Sequence, residues 1–209
     1  MALILFDFDG VLADTLGDLL QFGQEVCDEL GVRHIATPDD LDSLEIMSFA
    51  TYGRQLEIPE ELVDEFVRRC LKKFVQKQYP IRMFDGMRQV IVELSVHHAI
   101  GIVTGNTTRA VENFLLENNI QQYISATFAV DLPGSKTEKI LMAKGHLVKN
   151  SEEVYYIGDS VSDIHAARNV SVKSIAVSWG HQSLSKLTNA KPDFIVHSPR
   201  ELLEVFVND

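Results

Sequence analysis

"ALILFDFDGVLADT", residues 2–15, opens with five apolar residues and then sets Asp7 and Asp9 on either side of Phe8. An ionised carboxylate is expensive to take out of water, so a buried strand does not ordinarily end on two of them. Taken alone, the pair reads equally well as turn or helix-cap carboxylates, a reading that also suits Asp14. What decides between the readings is the company the fold brings to the same strand end.

Outward from this stretch, residues 15–31 carry apolar positions at helical spacing and stop at Gly31. The pattern stays helical to about Pro80, most clearly over 59–79, where acids open the segment and lysines close it. After Gly86 the rhythm changes. Helical stretches at 87–98, 108–119, 137–148, 162–169 and 199–206 alternate with strand-like runs at 99–105, 127–130, 154–159, 173–179 and 193–196. This alternation predicts an α/β fold, a Rossmann-like parallel sheet with helices on both faces. The helical block that interrupts it predicts an inserted α-helical cap over 15–83, on a core made of 1–14 and 84–209. Open parallel sheets bind ligands beyond the C-terminal ends of their strands. Asp7, Asp9, Thr104 and Asp159 all fall at such ends.

The 209 residues are 45% hydrophobic and 23% charged, with a formal net charge of -11. That suits one compact unit, or one unit carrying an insertion. The acidic balance argues against a nucleic-acid partner, although a local metal site can still take an anion. No apolar run reaches membrane-spanning length, and the N-terminus enters a strand without a basic leader. Neither a membrane partner nor a signal peptide is expected. Cys27 and Cys70 lie in helix-like apolar surroundings, outside any metal-ligand spacing. They read as reduced, buried thiols of a cytoplasmic protein.

Three further stretches bear on the opening pair. "VTGNTT", 103–108, follows a strand and opens a helix, so the Thr104 hydroxyl and the amides of Gly105 and Asn106 form an anion-binding arrangement or an ordinary turn. "PGSKTEK", 133–139, places Lys136 at a helix start, against the helix dipole; a phosphate to pair with accounts for it, as does a solvated surface position. "YYIGDSVSD", 155–163, ends a strand in Gly-Asp and adds Asp163 one helical turn after Asp159. Two carboxylates about 4 Å apart repel by roughly 4 kcal/mol at an effective dielectric near 20. A divalent cation removes that conflict, and oxygen donors without His or Cys favour Mg²⁺ over zinc.

In this order, DxDGV, hydroxyl-Gly-Asn, Lys and GDxxxD resemble the haloacid dehalogenase superfamily. The resemblance runs through the whole chain, including "AVSWGH" at 176–181 and "KPDFIV" at 191–196. Within the superfamily it is similar to the phosphoglycolate phosphatase-like group with a small helical cap. It implies a Mg²⁺-dependent phosphatase, monomer or homodimer, acting on a small phosphorylated metabolite through an aspartyl-phosphate. Asp7 would be the nucleophile, and Asp9 the acid for the leaving group and then the base for water. Thr104, with the amides of Gly105 and Asn106, would hold the transferring oxygens, and Lys136 would neutralise them and tie down Asp7. Mg²⁺ would sit on the Asp7 carboxylate, the Asp9 carbonyl and Asp159, with Asp163 as a further or outer ligand. Phosphoglycolate and small sugar phosphates are the first substrates it suggests. Thr137, where relatives often have proline, and "ARNV" at 167–170, where many have Ala-Gly, depart from the pattern without removing a functional atom.

Other readings compete. A β-phosphoglucomutase-like phosphosugar mutase would carry a cap histidine where Leu19 stands, and leucine cannot shuttle a proton. The dehalogenase reaction uses a lone aspartate, so Asp9 speaks against it. A non-enzymatic phosphoacceptor or metal-binding regulatory module would lack both the role of Asp9 and an inserted cap. Arg54, in "SFATYGRQL", is the cap residue that could reach an anionic leaving group. His97, His98, His146 and His165 read as surface residues on helices, and His181, after "SWG", as a lining residue near the sheet edge.

Overall fold

The computed structural model describes residues 1–77, 79–147 and 153–207. Ala2–Phe6 forms β1, buried at every position. A strand covered on both faces has no need of polar alternation, and the run "ALILF" shows none. Its side chains still divide by face. Ile4 and Phe6 join one core layer, Leu3 and Leu5 the other.

Between β1 and the next strand the chain is helical: α1 (Leu16–Leu30), α2 (Pro38–Asp42), α3 (Phe49–Gln55) and α4 (Val63–Gln76). Leu19, Phe22 and Val26 form the buried stripe of α1, and Phe22 meets Phe74 of α4 edge-on at 5.0 Å. Gly31 ends α1 at φ 76°, a left-handed conformation that glycine adopts without strain. The segment is less helical than its spacing predicts. Residues 32–37 and 43–48 are irregular, and Pro59 leads into a single 3₁₀ turn, Glu60–Leu62, before α4 begins. Gln78, in the predicted 59–79 helix, lies outside the described residues.

The alternating part follows the predicted order: α5 (Met87–Ser95), β2 (Ala99–Val103), α6 (Thr108–Glu117), β3 (Ala126–Phe128), α7 (Lys136–Leu147), β4 (Glu153–Gly158), α8 (Val161–Asn169), β5 (Lys173–Val177), α9 (Leu184–Asn189), β6 (Phe194–Val196) and α10 (Pro199–Val207). Helix α9 is unexpected; its six residues are too few to leave a periodicity. Helix α5 stops before His97 and His98, which lie in the turn that follows. Val148, at the end of the predicted 137–148 helix, is outside the described residues. Thr15, not Asp14, occupies the N-cap position of α1.

All six strands pair in parallel, in the order β3-β2-β1-β4-β5-β6. Phe6 is level with Ile102 of β2 and Ile157 of β4, and the Asp7 N–H donates to the Ile157 carbonyl at 2.8 Å. The strand order reverses beside β1, which opens a crevice above the ends of β1 and β4. Asp7 and Asp159 emerge there. Cys27 and Cys70 are buried and free, with thiols pushed by burial up to about 11 and about 12. Among the described residues, no helix is long and apolar enough to cross a membrane.

Candidate active site

Asp7 follows the last residue of β1 and is buried. Its Oδ1 accepts from the Phe8 N–H at 2.7 Å, and its Oδ2 lies 2.6 Å from Lys136 Nζ. Lys136 begins α7, and the same ammonium reaches Asp163 Oδ1 at 2.5 Å. The lysine that opposes its helix dipole is held by two carboxylates.

Asp163 follows Asp159 by one helical turn in sequence, a spacing that would put two residues of one helix on a shared face, but the two acids are not on one helix. Asp159 ends the strand run, and Asp163 is the third residue of α8, where it folds back on the helix start. Its Oδ2 accepts from Ser160 N at 3.0 Å and Ser160 Oγ at 2.6 Å, a capping box. The carboxyl groups of Asp7, Asp159 and Asp163 nevertheless converge, with one oxygen from each within 4.8 Å of the others. The close approach depends on glycine. A Cβ on Gly10 would stand 2.0 Å from Asp159 Oδ2, and one on Gly158 would stand 2.3 Å from Asp163 Cβ. Gly10 also has φ 74°.

These positions set the electrostatics. Burial pushes the Asp7 carboxyl up to about 8, with Lys136 opposing and Asp163 and Asp159 adding to the rise. Burial works the same way on Asp159, but His181, joined by Lys136, offsets it and holds that carboxyl below its ordinary value. The His181 N–H donates to Asp159 Oδ2 at 2.7 Å, and its Nδ1 lies 2.9 Å from the same oxygen. Burial alone would lower the imidazole; Asp159, with Asp9 and Asp7, carries it above its ordinary value. Asp159 Oδ1 is buried and has no hydrogen-bond partner. An orphaned oxygen on one of three converging carboxylates, with oxygen atoms as the donors, fits a hard divalent cation.

Asp9 lies two residues past Asp7, outside this triad. Burial raises its carboxyl above the usual value, against His181, Thr15 and Asn106. Asn106 enters the site by its side chain, whose Nδ2 donates to Asp9 Oδ2 at 3.3 Å. Its backbone N–H, expected to face an anion, instead donates to Thr104 Oγ1 at 2.9 Å. A hydroxyl reaching the amide two residues on is ordinary turn chemistry, and it leaves the Thr104 O–H free to donate. Gly105 lines the cavity over the acids.

The helical segment closes that cavity. The Met47 N–H donates to Ser162 Oγ at 3.1 Å, and Gln182 Nε2 donates to the Leu44 carbonyl at 2.6 Å. Gln182 Oε1 also accepts from the N–H of Val161, at the start of α8, at 2.7 Å. About 50 Å³ remains between Leu19, Met47 and Phe49 above and Asp7, Asp9 and Lys136 below. Arg54 is not brought to this space. Its Nε and Nη2 pair with Glu60 at 2.8 and 2.5 Å, on the outside of α3. His146 and His165 are exposed, as expected. The site residues least visible in the sequence are Gln182, Ser160 and the Asn106 side chain. The signal for His181 and Gln182 was their place after β5, the strand beside β4.

A model of the haloacid dehalogenase-like hydrolase family matches residues 4–177. Over 98% of this chain and 96% of its own length, a phosphoglycolate phosphatase of Synechococcus elongatus is 24% identical. An N-acetylmuramic acid 6-phosphate phosphatase of Pseudomonas aeruginosa is 27% identical over 97% of this chain and 93% of its own. The structure of a haloacid dehalogenase-like family hydrolase from Streptococcus pneumoniae superposes with a TM-score of 0.85 at 22% identity, covering 99% of this chain and 98% of that one. With the match spanning the sheet from β1 to β5, this chain belongs to the haloacid dehalogenase-like hydrolases.

Proposed function

We propose that this hydrolase is a Mg²⁺-dependent phosphatase of small phosphorylated metabolites, working through an aspartyl-phosphate on Asp7. The observation that carries the reading is the Lys136 ammonium set between Asp7 and Asp163, beside an Asp159 oxygen without a partner. The relatives named above act, by their names, on different molecules that share a phosphate.

In the first step an Asp7 oxygen attacks phosphorus and the bond to the ester oxygen breaks. Asp9 gives its proton to that oxygen, which leaves as an alcohol. The raised Asp9 carboxyl suits a group that must start protonated. In the second step ionised Asp9 takes a proton from water, which attacks the same phosphorus. The bond to Asp7 breaks, and inorganic phosphate is released. In this reading Thr104 and Gly105 would hold the transferring oxygens, the Asn106 side chain would orient Asp9, and Lys136 would supply fixed positive charge. The carboxylates of Asp7 and Asp159, with the Asp9 carbonyl, would hold Mg²⁺, which offsets phosphoryl charge and keeps Asp7 ionised. Asp163, with both oxygens engaged by Lys136 and Ser160, suits an outer position.

Residues 15–83 serve in this reading as a cap on a core of 1–14 and 84–209. A space of about 50 Å³ holds water rather than a metabolite, so the cap must swing away for substrate to enter. Leu19 lining that space favours hydrolysis over a phosphosugar mutase, which needs a proton-transferring side chain there. The test is release of inorganic phosphate from p-nitrophenyl phosphate and a panel of phosphorylated metabolites. Activity should be lost in EDTA and restored by Mg²⁺. Equal turnover by metal-free protein would overturn the reading.

A further inference from the structure

Above the acids, the cavity wall belongs to the helical segment alone: Leu19, Leu41, Met47, Ser48, Phe49 and Tyr52. Its polar side chains are few, and both are engaged. Ser48 Oγ caps α3 by accepting from Thr51 N at 3.1 Å, and the Tyr52 hydroxyl donates to the Leu19 carbonyl at 3.3 Å. The cations lining the cavity are engaged as well. Lys136 is held by Asp7 and Asp163, and the charge of His181 is balanced by Asp159, 2.9 Å from its Nδ1, although its Nε2 has no hydrogen-bond partner. Arg54 is turned outward to Glu60. A second negative charge on the substrate, beyond its phosphate, would therefore meet, among the described residues lining the cavity, only cations already balanced by a carboxylate. It would be desolvated against leucine, methionine and phenylalanine, with Asp9 below. Several hydroxyls would fare only somewhat better, with little to bond to.

We infer that the leaving group this site accepts is a small uncharged alcohol with an apolar face, with Leu19, Leu41, Met47 and Phe49 setting that preference. The inference rests on the phosphatase reading and narrows its substrate class, away from phosphorylated carboxylic acids such as phosphoglycolate. Met47 is well placed to test it. It is partly exposed, and its backbone is fixed to Ser162.

Three esters of equal carbon number separate the outcomes: n-propyl phosphate, glycerol 1-phosphate and 3-(phosphonooxy)propanoate. Phosphate release with Mg²⁺ is measured for the wild type and for Met47→Arg, with p-nitrophenyl phosphate as a control. The expected kcat/KM order is propyl, then glycerol, then carboxylate, with about 100-fold between first and last. Met47→Arg should narrow that gap at least about tenfold by raising the carboxylate ester. The wild-type order decides alone if the variant fails to fold. A wild type that prefers the carboxylate or glycerol ester to the propyl ester overturns the inference and leaves the phosphatase reading standing. So does a folded Met47→Arg with an unchanged gap. No phosphate from any ester, p-nitrophenyl phosphate included, overturns the phosphatase reading and the inference with it.

Discussion

Lys136 Nζ lies 2.6 Å from Asp7 Oδ2, although 129 residues separate the two in sequence. The same ammonium also serves Asp163, so its loss leaves two buried carboxylates without their cation. Breaking a buried pair of this kind costs about 3–5 kcal/mol. Lys136→Met should therefore lower the Tm of metal-free protein by roughly 6–20 °C. It should also reduce kcat by about 10²–10³, the usual cost of removing one fixed positive group from a transition state. Lys136→Arg keeps the charge but replaces a compact ammonium with a planar fork, so stability should return further than rate. Thermal melts and steady-state kinetics on the three proteins check this. A Lys136→Met protein matching wild type in both would remove Lys136 from the site.

The unpartnered Asp159 Oδ1 predicts a metal effect that needs no substrate. A cation that binds only the folded protein stabilises it by about 2.7 kcal/mol at a hundredfold excess over Kd. Saturating Mg²⁺ should raise the wild-type Tm by roughly 5–10 °C. Asp159→Ala should abolish that rise. Gly10→Ala should do nearly the same, because its Cβ has no room beside Asp159. Differential scanning calorimetry with and without Mg²⁺ measures it, and a full Tm rise in Asp159→Ala would place the metal elsewhere.

Asp40 anchors the irregular part of the helical segment. Its Oδ2 accepts from the Thr37 N–H and hydroxyl, both at 2.8 Å, while Oδ1 faces His34 and Gln55. Burial would raise this carboxyl, but these partners hold it below its ordinary value of 3.8. A depressed folded value means stability that is complete above 3.8 and lost as the pH falls through the folded value. Asp40→Ala should cost about 1–3 kcal/mol near neutral pH. Below pH ~3.8 the difference from wild type should shrink. Urea titrations from pH 7 to pH 3 would show it; a cost independent of pH would mean that the carboxylate's charge is not what matters.

Much of this was legible in sequence, for identifiable reasons. The parallel sheet showed because strands covered on both faces, such as "ALILF", need no polar positions. The acids and Lys136 showed because each breaks a local rule, either a charge at the end of a buried strand or a cation at a helix N-terminus. Gln182 broke none; a glutamine in a loop is unremarkable until the fold sets it between Leu44 and Val161. Asn106 suited both a turn and an anion site by its backbone, and only the sheet order brought its side chain to Asp9. Arg54 shows the opposite failure. A cationic residue in the helical block looked like a substrate ligand, but Glu60, six residues on, already holds it.

Asp7 and Asp9, two residues apart, should separate kinetically. Asp7→Asn removes the nucleophile, since an amide does not attack phosphorus, and should abolish turnover. Asp9→Asn keeps the side-chain shape and the backbone and removes only the transferable proton. An alkyl phosphate has a basic leaving oxygen, so both half-reactions then suffer, and kcat should fall by about 10²–10⁴. Nitrophenolate departs without a proton, so with p-nitrophenyl phosphate the first step should persist. Hydrolysis of the aspartyl-phosphate still lacks its base and becomes limiting. Rapid-quench kinetics on Asp9→Asn should then show a burst of nitrophenol near one equivalent per site, with phosphate retained on Asp7. Asn106→Ala offers a graded companion, because it removes the donor to Asp9 but leaves the acid in place. Its loss should be smaller, and its pH profile should shift upward, because the amide favours the ionised form of Asp9. An Asp9→Asn enzyme that hydrolyses alkyl phosphates at the wild-type rate would end the acid–base assignment.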